Sequence, residues 1–315
     1  MSTKRSRVHP PCKAKYRVSN TAEYDRALIR RGSITFWFSE SAIKKWNAKP
    51  TKKRGGQAKY SDFAIETALT LGLVFHLPLR QTEGFVSSIF ELMGLHLDVP
   101  DHTTLSRRSK TLKPKLKTPK SGGPIDLIID SSGLSIVGQG QWAAAKHGQR
   151  GYQGWMKLHL GVDQLGNIVT QELTDSNGND AKSGVRMVRR MRQKIKTVVG
   201  DRAYDTRELY DAAEDRGAKV VVPKIKGASV NRNRSKNRNK TVKRIRKVGR
   251  RRWKKEAGYL RQGKVENAFF RYKTIIGGRL RSRTCDTRKT EALLACNILN
   301  RMLDAGRPCS LKITN

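Results

Sequence analysis

The spacing of apolar residues changes character near position 124. Before it, apolar positions recur every three or four residues. Residues 61–75 carry Ile65, Ala68, Leu69 and Leu73 on one face behind Ser61, which predicts a capped helix, although Gly72 weakens its last turn. Pro78 separates it from a second helix over 80–93, with Phe85, Ile89, Phe90 and Met93 as its apolar face. After Gly94 and Pro100 a third, short helix is expected over 103–112, polar and basic on most sides. Further upstream, residues 21–31 and 39–46 read as helices, and 49–56 as a linker.

Beyond the Lys-, Pro- and Gly-rich stretch 113–123, which reads as a second linker, the period shortens. Residues 125–137 predict a strand with a break at Ser131-Ser132-Gly133. Residues 157–162 and 168–173 predict a hairpin turned at 163–167, where Asp163 fits a turn. Asp180 reads as the cap of a helix with Val185, Val188, Met191 and Ile195 on its core side. A strand follows at 196–200. Asp205 then reads as a cap, with Glu208 three residues on in a capping box, for a helix ended by Gly217. A last strand at 219–222 stops at Pro223, and a helix starts near Lys264. The order β-β-β-α-β-α-β, then helix, is that of an α/β ribonuclease H-like catalytic domain, a mixed sheet flanked by helices. Ahead of it stands an N-terminal all-α, helix-turn-helix-like domain.

Charge narrows the partners. Sixty-six Lys and Arg against 26 Asp and Glu give +40, an excess that calls for a polyanion, with nucleic acid ahead of an anionic membrane surface. Residues 224–264 alone hold eighteen Lys or Arg and one acid, Glu256. By composition they read as a basic insertion, unordered when free and folding along phosphates when bound, against a plain solvated charge run. The basic third helix, with Arg107 and Arg108, reads as a DNA-contacting element, against a simple bundle with a solvated face. The four cysteines make no CxxC or zinc spacing, which fits reduced thiols in a cytoplasmic, nucleoid-associated protein. The N-terminus lacks the apolar core of a signal peptide, and the most apolar stretch, 64–79, carries Glu66 and His76 and is too short to span a bilayer, so no membrane partner is expected.

The expected domains are therefore 1–58, a basic arm and linker; 59–120, a helical DNA-binding domain; 124–306, the catalytic domain with the insertion 224–263; and 307–315, a tail. Three acids stand where hard divalent cations would need oxygen ligands: Asp130 and Asp201 at the ends of apolar strands, and Glu266 on the last helix. Two Mg²⁺ ions (Mn²⁺ as a substitute) held there would activate a nucleophile on a phosphodiester and steady the leaving oxygen. Glu266 and Lys273 are seven apart and share a helix face, clear of the stripe Val265, Phe269, Tyr272 and Ile276; Lys273 would hold a DNA phosphate. Asp126 shares the strand face of Asp130 but lies about 13 Å away, too far for a common ion. His159 is read either as approaching the site or, the preferred reading, as a packed core residue. Trp155 and Tyr204 are candidates for stacking on an extruded base, although ordinary packing is the simpler reading.

Together these motifs resemble those of the DDE transposases of bacterial insertion sequences, in the branch named after insertion sequence five. The resemblance spans about residues 20–305. It rests on Glu40-Ser41-Ala42-Ile43, the run 85–95, Ile129-Asp130-Ser131-Ser132-Gly133-Leu134, the run 155–160, the run 200–206 and the block 259–278. It implies Asp130, Asp201 and Glu266 as the metal-binding triad, cleavage at the element's terminal inverted repeats, strand transfer by the freed 3′-hydroxyl, and a homodimer on double-stranded DNA. Family pattern places Tyr259, an Arg, Glu266 and Lys273 in register. Here Gln262 stands at the Arg position with Arg261 beside it, so Arg261 taking over, or a reduced activity, are the two consequences open. The alternatives are a catalytically weakened DNA-binding derivative and a host ribonuclease H-type nuclease.

Overall fold

A computed structural model describes residues 16–50, 54–119, 122–137, 154–224, 227–231 and 235–313. The first fifteen residues of the basic arm, with Cys12, and parts of the two linkers and of the insertion thus lie outside the described residues. The chain forms two compact units, 1–39 with 301–315, and 40–300.

In the first unit, β1 (Tyr16–Val18) is followed by α1 (Thr21–Arg31) and α2 (Ile34–Trp37). Within the tail expected at 307–315, Ser310–Lys312 pairs antiparallel with β1. Asn20 fixes this return, its Nδ2 donating to the Arg307 carbonyl at 2.8 Å and its Oδ1 accepting from Cys309 N–H at 2.7 Å. Arg301 lies over the rings of Phe36 and Trp37.

The second unit begins with α3 (Glu40–Lys44), α4 (Asp62–Val74), α5 (Leu79–Leu92) and α6 (His102–Thr111). Ser61 caps α4 through Ala64 N–H, as the sequence predicts. Asp101 caps α6 through the amides of Thr103 and Thr104. Helices α4 and α5 meet at 108°, within the range of helix-turn-helix pairs. Gly72 is what permits their approach, since a Cβ there would stand 2.6 Å from Thr82 Oγ1. The buried face of α5 is Thr82, Val86, Ile89 and Phe90; Met93 falls in the turn after the helix and is exposed, against the expected pattern. Trp46 closes this module, fully buried against Phe90, with its indole N–H on the Asp98 carbonyl at 2.8 Å. No single helix among the described residues is long and apolar enough to cross a bilayer.

The linker expected at 113–123 is, over its described part, an extended strap. Asn297 accepts from Lys117 N–H at 2.7 Å and donates to the Lys115 carbonyl at 3.0 Å, while Asn300 donates to the Lys117 carbonyl at 2.9 Å. Charged side chains made the segment look solvated; its backbone is bonded to two distant amides.

The main sheet has the order β4 (Ile168–Asp175), β3 (Trp155–Val162), β2 (Ile125–Ile136), β5 (Ile195–Val199) and β6 (Lys219–Val221), with β7 (Arg279–Leu280) also on β2. β2 runs antiparallel to β3 and parallel to β5. Its apolar run is buried on both faces, as a central strand requires. The break expected at Ser131-Ser132-Gly133 does not occur, because His159, Leu158 and Lys157 of β3 supply ladder partners. One face carries Ile125, Leu127 and Ile129 against α7 (Asp180–Arg190) and α8 (Arg207–Glu214). Asn179, not Asp180, caps α7, and Thr206 stands at the start of α8. Asp205 is no cap: its carboxylate, nearly fully buried, accepts from Lys224 Nζ at 2.8 Å and Arg238 Nε at 3.0 Å.

Arg238 belongs to α9 (Lys236–Glu256), which bends at Gly249. The insertion is therefore not unordered where it is described. Beyond the Asp205 bond, Val242 and Trp253 bury apolar surface, and Arg244 and Arg252 both grip Glu256. A few anchors outweigh a composition that reads as disorder. Then α10 (Gly263–Arg271) packs on β2 and β3, a π turn at Tyr272–Ile276 continues it against α4, and α11 (Cys285–Ala305) closes the chain's helical part. The stripe Val265, Phe269, Tyr272 and Ile276 is buried as expected.

Candidate active site

Asp130 lies within β2, and Asp201 lies just past the end of the neighbouring parallel strand β5, where it caps a short turn. The last β2–β5 pair is Ile128 with Val199, and each acid lies two residues beyond it along its own chain segment. The third acid arrives with α10. Gln262, one turn before Glu266, is buried and its Nε2 donates to the Ile129 carbonyl at 3.3 Å. This bond seats the start of α10 against β2, one residue before Asp130.

The electrostatics link the three acids. Burial pushes the Asp130 carboxyl up to about 6, and the charges of Asp201, Glu266 and Asp180 push the same way, against the Ser131 N–H that it accepts at 2.8 Å. The Tyr259 hydroxyl is raised by burial first and then by Asp201, Asp130 and Glu266, so this half-buried tyrosine shares their surroundings. Asp201 also accepts from Ala203 N–H at 2.8 Å, capping the short turn Arg202–Tyr204. Glu266 is exposed.

Other predicted residues fall differently. Lys273 is exposed, but it lies in the π turn, so the even helical face assumed from Glu266 to Lys273 changes pitch one residue before it. Gln262 is too buried to meet a phosphate. Arg261 does not take over: its guanidinium pairs with Asp126, which also accepts from Thr197 Oγ1. Arg108 ties α6 to Asp62 at 2.6 Å and to the Tyr60 carbonyl at 3.1 Å, whereas Arg107 is exposed. Asp163 does hold its turn, accepting from Leu165 and Asn167 N–H. Trp155 is partly exposed at the head of β3.

Tyr204 is excluded from stacking on a base, because its ring is buried in a slot between Gly184 and Gly200. A Cβ on either glycine would come within 2.9 Å of that ring. His159 is the packed core residue of the preferred reading: fully buried, bonded through Nε2 to Thr174 Oγ1 at 2.9 Å, and lowered by burial to about 4. Its Nδ1 is 3.5 Å from Asp180. Asp180 is the acid that sequence reasoning misassigned. With Asn179 doing the capping, its charge bears on Asp130, Tyr204 and His159. The adjacent Asn-Asp pair was the available signal, since only one of the two is needed as a cap.

Among the described residues no group of three or more His, Cys, Asp or Glu side chains is gathered closely enough to hold a metal ion, and Asp130, Asp201 and Glu266 are no exception. Mg²⁺ seldom uses a protein-only cage; it takes one or two carboxylates and completes its shell with water and phosphate oxygens. Mutually repelling carboxylates, one of them held well above its ordinary pKa, form a donor set that suits such an ion.

A central strand flanked by one antiparallel and one parallel neighbour, in a mixed sheet with helices packed on it, is the architecture of a ribonuclease H-like domain. Two family models, each described as "Transposase DDE domain", match the chain over residues 29–139 and 121–301. The second covers more than half of it, and the chain belongs to the DDE transposase family. That family consists of metal-dependent polynucleotidyl transferases acting on DNA, and neither description names a branch within it.

Proposed function

We propose that this transposase binds the terminal inverted repeats of its own insertion sequence and cuts and joins DNA at Asp130, Asp201 and Glu266. The observation that supports this reading most is the shared electrostatic environment of the three acids, expressed in the raised Asp130 carboxyl. Two Mg²⁺ ions, or Mn²⁺, would supply charge to activate the nucleophile and steady the leaving oxygen. Asp130, half-buried, together with Asp201 and Glu266 would hold these ions through carboxylate oxygens. In cleavage, a water oxygen bonds to phosphorus and gives up a proton, the bond to the 3′-oxygen breaks, and that oxygen takes up a proton. In transfer, the freed 3′-hydroxyl attacks a target phosphorus, loses its proton and displaces the target's 3′-oxygen.

Lys273 and Tyr259 flank the acids as phosphate contacts. Arg107 on α6 and the exposed lysines and arginines of α9 provide sequence-independent grip along the backbone. The three-helix module α4–α6 serves as the end-reading domain, and two copies act together on paired ends in the bacterial cytoplasm, at the nucleoid.

The test pairs cleavage with binding. Asp130→Asn, Asp201→Asn and Glu266→Gln should abolish cutting of a duplex carrying the element's end while leaving its affinity unchanged in metal-free buffer. Loss of binding in all three would count against the assignment. One observation favours a second reading, a catalytically weakened DNA-binding derivative: with Gln262 buried and Arg261 paired to Asp126, no guanidinium at that turn is free for phosphate. Cleavage rates of wild type and Gln262→Arg separate the two.

A further inference from the structure

Phe270 is two-thirds exposed, in a helix whose other large apolar residues, Val265 and Phe269, are buried. It stands four residues after Glu266, so the two share one face of α10, about 6 Å apart along its axis. Lys264 and Lys273, also exposed, lie before and after it on the same stretch of chain. An aromatic ring left in water on a helix that also carries exposed lysines, one turn from an acid of the proposed reacting centre, matches one kind of ligand. That ligand has a negative backbone and a flat, apolar face.

We propose that Phe270 is a stacking platform for an unpaired nucleobase next to the phosphodiester held at Asp130, Asp201 and Glu266. The inference rests on the assignment of Glu266 to that centre. A scissile phosphate at Glu266 brings its neighbouring nucleotide to the next helical turn, where the ring is. The flanking lysines meet the phosphates on either side, and the ring meets the base. Stacking needs no particular base, because every base presents a π-face. Phe270 therefore favours strand ends that are frayed or already cut over an intact duplex, whose bases are stacked on each other. A protein surface as occupant fits less well, since the ring is bordered by like charges that a second copy of this basic chain would repeat.

The experiment uses the full chain in metal-free buffer. Fluorescence anisotropy compares a duplex bearing a short single-stranded 3′ thymidine overhang with the same duplex bearing an abasic overhang. Wild type should prefer the thymidine overhang by about tenfold, the scale of one base–aromatic stack. Phe270→Ala should lose that preference and Phe270→Trp should keep it. Being exposed, the position tolerates both changes without unfolding. A preference that survives in Phe270→Ala, or is absent in wild type, overturns the proposal. So does a fall in the sedimentation mass of DNA-free Phe270→Ala, which would assign the ring to contact between copies. Asp130→Asn serves as the second arm: it should lose cleavage and keep the overhang preference. If it still cuts, the assignment of the reacting centre fails; if only the Phe270 result fails, that assignment stands.

Discussion

Asp126 and Asp130 lie on the same face of the same strand, four residues or about 13 Å apart, and end in opposite conditions. Asp126 accepts from Thr197 and pairs with Arg261. Asp130 has one backbone N–H and three like charges bearing on it, and its carboxyl rises to about 6. Residue type, strand and face are shared, so the partners alone set the two acids apart. A carboxylate with a guanidinium beside it has no need of a metal; one surrounded by carboxylates gains from any cation that arrives.

The contrast is sharpest in activity. Asp130→Asn should lower cleavage by about 10²–10³-fold or more, the scale of losing a preorganised charge at a reacting centre, while Asp126→Asn should stay within about tenfold of wild type. In thermal melts, added Mg²⁺ should raise the midpoint of wild type and leave that of Asp130→Asn in place. Equal losses at both positions would dissolve the distinction.

His159 tests whether burial without a charged hydrogen-bond partner has the expected sign. Its folded pKa of about 4 lies below the ordinary 6.5, so the unfolded chain binds a proton that the folded chain refuses. Stability should therefore be full above about pH 6.5 and fall as pH drops towards 4, by about 3 kcal/mol in all. His159→Gln should flatten that limb in denaturant titrations at stepped pH.

Breaking the satisfied end should matter less. Arg261→Ala leaves Asp126 without its cation, and the arginine is about one-third exposed, so a loss of about 1–2 kcal/mol is expected after discounting for solvent. Stability should drop while cleavage at saturating DNA hardly changes. The smallest effect is expected from Gln262→Arg. The position is buried beneath the Ile129 carbonyl, and the cleavage rate should shift by less than about tenfold, under 1.4 kcal/mol. A larger gain would establish the weakened-derivative reading.

The sheet was legible in the sequence because its strands are apolar runs bounded by turn residues, and the order of elements then determined which strand ends meet. Glu266 was legible because the buried stripe of α10 left it off the packing face. What failed were inferences from composition or from capping spacing alone. The basic segment looked unordered, yet Val242, Trp253 and the Asp205–Arg238 bond fold it. Asp205 and Glu208 had the spacing of a capping box, but Lys224 and Arg238 claimed the aspartate first. Those partners are 19 and 33 residues away, beyond the reach of any local pattern. Gln262 and Arg261 looked like phosphate ligands for the same reason: only the folded chain shows Ile129 and Asp126 already occupying them.

The strap at 113–119 bears on how the gene is divided for expression. A fragment begun at residue 121, where the larger family match starts, discards the backbone that Asn297 and Asn300 hold. Each amide left dry would cost about 1–3 kcal/mol. Such a fragment starts in deficit before any DNA is added, and a catalytic core meant for isolation should carry its leader from at least residue 113.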